Sequence, residues 1–148
     1  MSTEHWRQLA LPDVSDRAEQ EWRWEIDRPA QLTSARTTLR NDLSGGAMPA
    51  GAQADDVDRL LLAFEELASN GLRHSGEPIV ATVTSCACGW LIDVSDARPE
   101  HPPVPAVDRD PALGGLGLHL IARLAAAHGW MTAGVRKHVW ACIVPTAT

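Results

Sequence analysis

Polar and apolar positions along the chain predict one long amphipathic helix over Ala54–His74. Its apolar residues recur at the spacing of a single buried stripe; they are Val57, Leu60, Leu61, Phe64, Leu67, Ala68 and Leu72. At about 100° per residue, Glu66 and Asn70 fall roughly opposite the centre of that stripe. They project one turn apart, so a carboxylate and an amide oxygen can meet one ligand. A solvated polar face is the ordinary alternative for an isolated pair of this kind.

The rest of the pattern predicts the element order β-α-α-ββ-loop-α-ββ. Alternating apolar and charged residues predict a strand over Trp22–Ile26, and helical periodicity follows over Pro29–Leu43. The later elements are a hairpin with strands over Ile79–Thr84 and Trp90–Val94, a helix from Gly114 to about His128 that Gly129 ends, and strands over Trp130–Ala133 and Val139–Val144. This order predicts an α/β (α+β) two-layer sandwich, in which about three helices cover one face of a mixed, mostly antiparallel sheet.

Length and charge limit the classes of function. The chain has 148 residues, enough for one domain with its own core, and its net charge is -6. A general nucleic-acid or anionic-membrane binder needs a basic surface, so neither is expected. No stretch is apolar enough to span a membrane and the polar N-terminus has no signal-peptide core, so we expect a cytoplasmic protein. We expect residues 1–20 to be a flexible lead-in and residues 21–148 to form a single domain.

Two later segments also carry candidate chemistry. The apolar strand Leu91–Val94 leads to Asp96, whose carboxylate can accept a hydrogen bond from an exocyclic amine such as that of adenine. A turn-forming aspartate is the alternative. Gly114, Gly115 and Gly117 precede the last helix, where backbone amides and the helix dipole form a phosphate cradle. A flexible hinge is the alternative there, and the spacing fits neither the Walker P-loop nor the dinucleotide fingerprint.

Taken together, the three segments resemble the GHKL (Bergerat-fold) ATPases. The shared order is a helix with Glu66 and Asn70, a strand that ends in Asp96, a proline-rich loop, and Gly-Gly-Leu-Gly-Leu before a helix. The resemblance covers about Trp22–Pro145. The short length, the helix segment and the closing Lys137–Ala141 look most like the anti-sigma-factor serine kinases (RsbW/SpoIIAB-like). Small histidine kinase-like ATPase regulators of filamentous bacteria look equally close.

The resemblance implies a site for ATP and Mg²⁺. Asn70 would ligate a Mg²⁺ that bridges the ATP phosphates, Glu66 would be the general base, and Asp96 would bind the adenine amino group. An ATP lid would span Arg98–Leu113. Residues implied on the phosphate side are Arg73, His74, Gly114, Gly115, Leu116, Gly117 and Leu118. Mg²⁺ needs few protein oxygens, and phosphoryl transfer depends mostly on positioning and charge neutralisation, so such a sparse site is chemically sufficient.

The chain departs from the family pattern at three places. Ala97–Pro99 follows Asp96 where many members have Asp-x-Gly-x-Gly, and Leu113 stands where histidine kinases often have a glycine. His138 occupies a place near the end of the chain where many members have a Thr or Ser beside the adenine Asp. These departures bear on nucleotide affinity more than on the fold.

The implied function is an ATP-binding serine/threonine protein kinase that acts as an anti-sigma factor. It would phosphorylate an anti-anti-sigma (STAS-domain) protein, sequester a sigma factor, and form a homodimer through the first strand and helix. A second class of function is an ATP-gated protein-binding regulator with little or no kinase activity. A third is an α/β domain that binds no nucleotide. Direct binding to nucleic acid or to a membrane is not expected.

Overall fold

One five-stranded sheet and three helices make up the part of the fold that the structure describes. A computed structural model describes residues 6–46, 49, 51–75, 77–87, 89–99 and 116–146. The elements are strand β1 (Ala18–Ile26), helices α1 (Pro29–Ser44) and α2 (Ala54–Ser75), strands β2 (Ile79–Cys86) and β3 (Gly89–Asp96), helix α3 (Leu116–Leu124), and strands β4 (Ala127–Ala133) and β5 (Arg136–Ile143). The strand order is β1-β2-β3-β5-β4 and every neighbouring pair is antiparallel. Among these helices, none combines the length and the apolar character needed to cross a bilayer.

Helix α2 supplies the centre of the core, and its predicted apolar stripe is buried as expected. The fully or almost fully buried members are Leu60, Leu61, Phe64, Leu67 and Ala68. Gly71 continues this face where α2 meets the sheet, because a Cβ at that position would lie only 3.1 Å from Cγ1 of Val94. Acidic residues occupy the first turn of α2 and basic residues the last turn, which suits the helix dipole. The predicted two-layer sandwich is confirmed.

Strand register decides which side chains face the helices. Val94 of β3 lies opposite Val139 of β5, and both are buried in the core. Two residues further along β3, Asp96 lies opposite Lys137. Because side chains alternate between the faces of a strand, Asp96 and Lys137 share the helix-covered face. His138, one residue later, points to the other face of the sheet.

A buried carboxylate at the start of α2 holds the end of the chain. Asp56 is 1% exposed and accepts hydrogen bonds from Arg59, from the Gln53 backbone N–H, and from both the backbone N–H and the hydroxyl of Thr146, at 2.8–3.0 Å. Burial alone would raise the pKa of Asp56, but these hydrogen bonds outweigh it and hold the pKa well below its usual range. The carboxylate therefore stays charged in the folded protein.

The Arg59 guanidinium extends this contact to two further segments. It donates to the carbonyl oxygen of Leu124 at 3.2 Å and to that of Val144 at 2.7 Å. Leu124 is the last residue of α3, so its carbonyl is one of the groups that a helix end leaves without an internal partner. The cluster of Asp56 and Arg59 thus fixes the end of α3 and the closing chain segment onto α2.

Helix α3 is shorter than the sequence pattern predicts. It ends at Leu124, and the predicted extension to His128 is wrong because the backbone N–H of Ala126 already bonds to the Cys142 carbonyl of β5 at 2.9 Å. Gly129 lies within β4 and does not end a helix. A Cβ at Gly129 would lie 3.0 Å from Cβ of Leu9 and 3.1 Å from the Trp140 ring. This glycine therefore serves close packing of the N-terminal segment on the sheet.

The N-terminal segment around Trp6 packs along β4. The Trp6 side chain is only 4% exposed, and the backbone N–H of Leu9 donates to the carbonyl of Trp130 at 2.9 Å. Part of the segment expected to be a flexible lead-in therefore lies against β4, and the division of the chain at residue 20 stays a prediction. Strand β1 also begins earlier than predicted, at Ala18.

Replacing Asp56 with alanine should lower the free energy of unfolding by about 3 kcal/mol, because Arg59 and several amides would lose a buried partner. Urea unfolding at neutral pH measures this. The matched control is Asp55→Ala, an exposed neighbour in the same helical turn, which should cost less than about 1 kcal/mol. Because the folded-state pKa is depressed, the difference should fade as pH drops below about 4. Equal effects of the two substitutions would contradict this account.

Candidate functional site

Glu66 and Asn70 lie one turn apart on α2, as predicted, and both are half-buried. No hydrogen bond or ion pair within the described residues involves either side chain. A carboxylate and a carboxamide at this depth lose part of their hydration without gaining a protein partner, which favours a ligand that supplies one. Their oxygen atoms suit a hard cation or a hydroxyl group.

The helical turn that carries Asn70 lies against β3 just before Asp96. Gly71 follows Asn70 and approaches Val94: a Cβ added at Gly71 would lie 3.1 Å from Cγ1 of Val94. Asp96 follows Val94 by two residues on the same face of the sheet. The structure thus brings two of the three predicted chemical segments to one end of the fold.

Asp96 is buried, and each of its carboxylate oxygens already has a partner. The backbone N–H of Arg98 donates to Oδ1 at 2.8 Å, and Nζ of Lys137 lies 3.4 Å from Oδ2. The Arg98 side chain also donates to the Ser75 carbonyl at 2.9 Å, which joins the segment after β3 to the end of α2. The expectation that His138 stands beside Asp96 is wrong, because Lys137 occupies that place and His138 points away.

Lys137 is the residue of this region that the sequence interpretation missed. Val139, Ala141 and Ile143 are buried apolar residues on one face of β5, and strand alternation puts residue 137 on the same face. That alternation was the available signal. The predicted strand began only at Val139, and a lysine is almost never fully buried unless it is paired. The partner of Lys137 is Asp96, which lies on another strand.

His138 forms a separate polar contact on the uncovered face of the sheet. Its Nδ1 lies 3.0 Å from both carboxylate oxygens of Asp93. The hydrogen bond to Asp93 raises the pKa of His138 above its ordinary value, although burial acts in the opposite direction. Arg136 donates to the Ser95 hydroxyl on the same face at 3.0 Å. These polar residues therefore lie on the face of the sheet opposite to that of Asp96.

Arg73 and His74 occupy the last turn of α2, and both are exposed. The helix places them beyond Asn70 and towards the chain segment that contains Glu77, whose carboxylate lies 3.9 Å from Nε of Arg98. Their assignment to the phosphate side stays a prediction.

The glycine-rich segment is described only in part. Gly114 and Gly115 lie outside the described residues, and Leu116 and Gly117 form the first turn of α3. Leu118 is 1% exposed and belongs to the core, so its side chain anchors the helix and only its backbone can reach a ligand. The first amides of a helix have no internal acceptor. Binding of phosphate by these five residues stays a prediction.

Comparison with known proteins agrees with the fold. The family model described as the histidine kinase-like ATPase domain matches residues 27–143. A solved structure, that of the RsbU and RsbW domains of Rv1364c from Mycobacterium tuberculosis, aligns with a TM-score of 0.59 and 16% identity over 86% of this chain. The aligned part is 34% of that structure's chain, so this chain spans about a third of its length. At this level of identity, the likeness shows the fold alone. The chain matches none of the curated proteins with which it was compared.

Replacing Asp93 with asparagine should lower the pKa of His138, which NMR titration of the histidine resonances measures directly. The raised pKa means that the contact stabilises the fold fully below about pH 6.5 and loses this contribution as pH rises through the folded-state value. The stability difference from the native chain should be under about 1 kcal/mol for this partly hydrated pair and should shrink towards pH 9. Asp16→Asn, at an exposed turn, is the control; an unchanged His138 titration in Asp93→Asn would refute the contact.

Proposed function

Because this chain belongs to the histidine kinase-like ATPase domain family, we propose that it is an ATP-dependent serine/threonine protein kinase of the anti-sigma type. Its substrate is an anti-anti-sigma protein with a STAS domain, and its second partner is a sigma factor that it sequesters. The observation that best supports this is the half-buried pair Glu66 and Asn70, one turn apart and without a partner among the described residues. The likeness in fold to a structure containing an RsbW domain is consistent with it.

Asn70 has the properties of a Mg²⁺ ligand. Its amide oxygen is neutral, half-buried and not bonded to another described residue, and Mg²⁺ is usually held by one or two protein oxygens together with waters and phosphate oxygens. When the ion is bound there, its charge neutralises the phosphate oxygens during transfer. The chain would hold this oxygen in place through the backbone of α2, because Gly71 packs closely on the sheet next to Asn70.

Glu66 is the proposed general base. One turn before Asn70, it can accept the proton of a target Ser or Thr hydroxyl while that oxygen attacks the terminal phosphorus. The bond between the terminal phosphorus and its bridging oxygen breaks, and ADP leaves.

Asp96 is the proposed acceptor for the adenine 6-amino group. An ionised carboxylate offers about four lone-pair positions, and the described partners of Asp96 are the Arg98 amide and Lys137. Capacity therefore remains for one more donor. Arg73 and His74, with the segment before and within the first turn of α3, complete the proposed phosphate side.

Partner exchange needs a protein surface that responds to the nucleotide. We place homodimer formation at β1 and α1, where β1 forms one edge of the described sheet. A cleft of about 490 Å³ lies between these elements and is lined by Trp24, Ala35 and Thr38 among others. The two partners would compete for another common surface, with bound ATP or ADP biasing the choice. This scheme requires no nucleic-acid contact and suits a cytoplasmic protein.

The contacts that Asp96 already makes favour one alternative function. Lys137 and the Arg98 amide already hold its two oxygens, which lowers the gain in free energy from a further hydrogen bond to a base. Weak nucleotide binding suits an ATP-gated protein-binding regulator with little or no kinase activity. A measurement of phosphate transfer from ATP to a target protein separates this alternative from the kinase.

Glu66→Gln should lower the rate of phosphate transfer to a STAS-domain protein by about 100- to 10,000-fold, with ATP affinity changed less than about threefold. Asn70→Ala should abolish the dependence of ATP binding on Mg²⁺, as measured by calorimetry. The matched control is Glu65→Gln, whose carboxylate lies on a different side of α2, 3.6 Å from Arg36; it should transfer phosphate at the native rate.

Two outcomes would contradict the proposal in different ways. ATP binding without any transfer, unaffected by Glu66→Gln, would favour the ATP-gated regulator. Absence of Mg²⁺-dependent ATP binding in the native chain would remove both functions.

A further inference from the structure

A buried ion pair joins the ends of β3 and β5. Lys137 and Asp96 lie directly opposite each other in the strand register, with Nζ and Oδ2 3.4 Å apart. Their side chains are 6% and 4% exposed. Both face the helices, in line with the apolar core residues Val94 and Val139. The carboxylate proposed to bind the base therefore has an ammonium group beside it.

Packing alone does not account for a lysine at this position. Removing an ammonium group from water is unfavourable, and a buried ion pair often stabilises a fold no better than apolar residues of similar size. The other inward-facing residues of β5, Val139, Ala141 and Ile143, are apolar. A buried charged pair at the edge of a proposed ligand site is a candidate for ligand recognition.

The two groups together match the edge of adenine. Adenine presents a 6-amino donor next to the ring acceptor N1, and Asp96 and Lys137 present an acceptor next to a donor. An ammonium group has three donors, so it can hold Asp96 and still donate to a ring nitrogen. Guanine presents the opposite pattern, with a carbonyl at position 6 and an N1–H, and would meet each group with the wrong polarity.

We propose that Lys137 is the second base-recognising residue of this site and donates a hydrogen bond to N1 of adenine while Asp96 accepts one from the 6-amino group. This inference rests on the proposed ATP-binding function and adds the determinant of base specificity. The net neutrality of the pair suits an uncharged base. His138, the neighbour in sequence, takes no part because it contacts Asp93 on the other face of the sheet.

The test compares ATP with two analogues by calorimetry in the presence of Mg²⁺. In 1-deaza-ATP, N1 is replaced by C–H; purine riboside triphosphate lacks the 6-amino group. The native chain should bind 1-deaza-ATP about 10- to 100-fold more weakly than ATP, because a buried cation loses its acceptor. In Lys137→Met this ratio should fall to within about threefold, while the preference for the 6-amino group persists.

His138→Gln is the matched control and should keep the native ratio, since its side chain lies across the sheet. The comparison of ATP with 1-deaza-ATP on the native chain needs no variant, so it decides the matter even if Lys137→Met fails to fold. Equal binding of the two nucleotides, equal binding of GTP and ATP, or an unchanged ratio in folded Lys137→Met would overturn the inference.

Failure of the proposed function gives a different result. A native chain that binds neither ATP nor its analogues would remove the nucleotide site, and the role of Lys137 with it. Binding that depends on the 6-amino group but not on N1 would keep the site and remove only Lys137 from base recognition.

Discussion

The close approach of α2 to the sheet at Gly71 is the constraint on which the rest of the structure depends. A Cβ there would lie 3.1 Å from Val94 and 3.3 Å from Ile79, so a larger residue would push the helix away from β2 and β3. With the apolar stripe held in the core, the rotation of α2 is fixed. This in turn fixes which side of α2 carries Glu66 and Asn70.

Two buried carboxylates lie near opposite ends of α2, and the number of their partners suggests different roles. Asp56 accepts four hydrogen bonds, including one from Arg59, and its capacity is filled. It holds the chain terminus and the end of α3. Asp96 has two partners among the described residues, one of them the ammonium of Lys137 at 3.4 Å. Filled capacity suits a structural clamp, and remaining capacity suits a binding site.

Sequence pattern was sufficient for the elements whose signal is local. The apolar stripe of α2 and the β-rich runs of β2 and β3 lie within single segments, and the predicted sandwich followed from them. The predicted chemistry at Glu66, Asn70 and Asp96 also rested on the order of local segments. The structure brings the turn of α2 that carries Asn70 and the end of β3 that carries Asp96 to one end of the fold. Their roles remain predictions.

Features set by distant contacts could not be found in this way. The alanine-rich stretch after Leu124 has high helix propensity, but pairing with β5 begins a strand at Ala127. Trp6 gives no local sign of burial, because its packing depends on β4, more than a hundred residues later. The sequence prediction placed His138 beside Asp96, where the structure has Lys137. A shift of one residue along a strand moves a side chain to the opposite face of the sheet.

The central claim is that a metal–nucleotide complex binds at the turn of α2 containing Glu66 and Asn70. Paramagnetic broadening by Mn²⁺–ATP in an NMR spectrum of the labelled chain tests this most directly, because Mn²⁺ takes the oxygen ligands of Mg²⁺. We predict strongest broadening at Asn70 and its neighbours, with the resonances of Asp93 and His138 on the other face of the sheet least affected. Broadening centred on that other face, or none anywhere, would contradict the account.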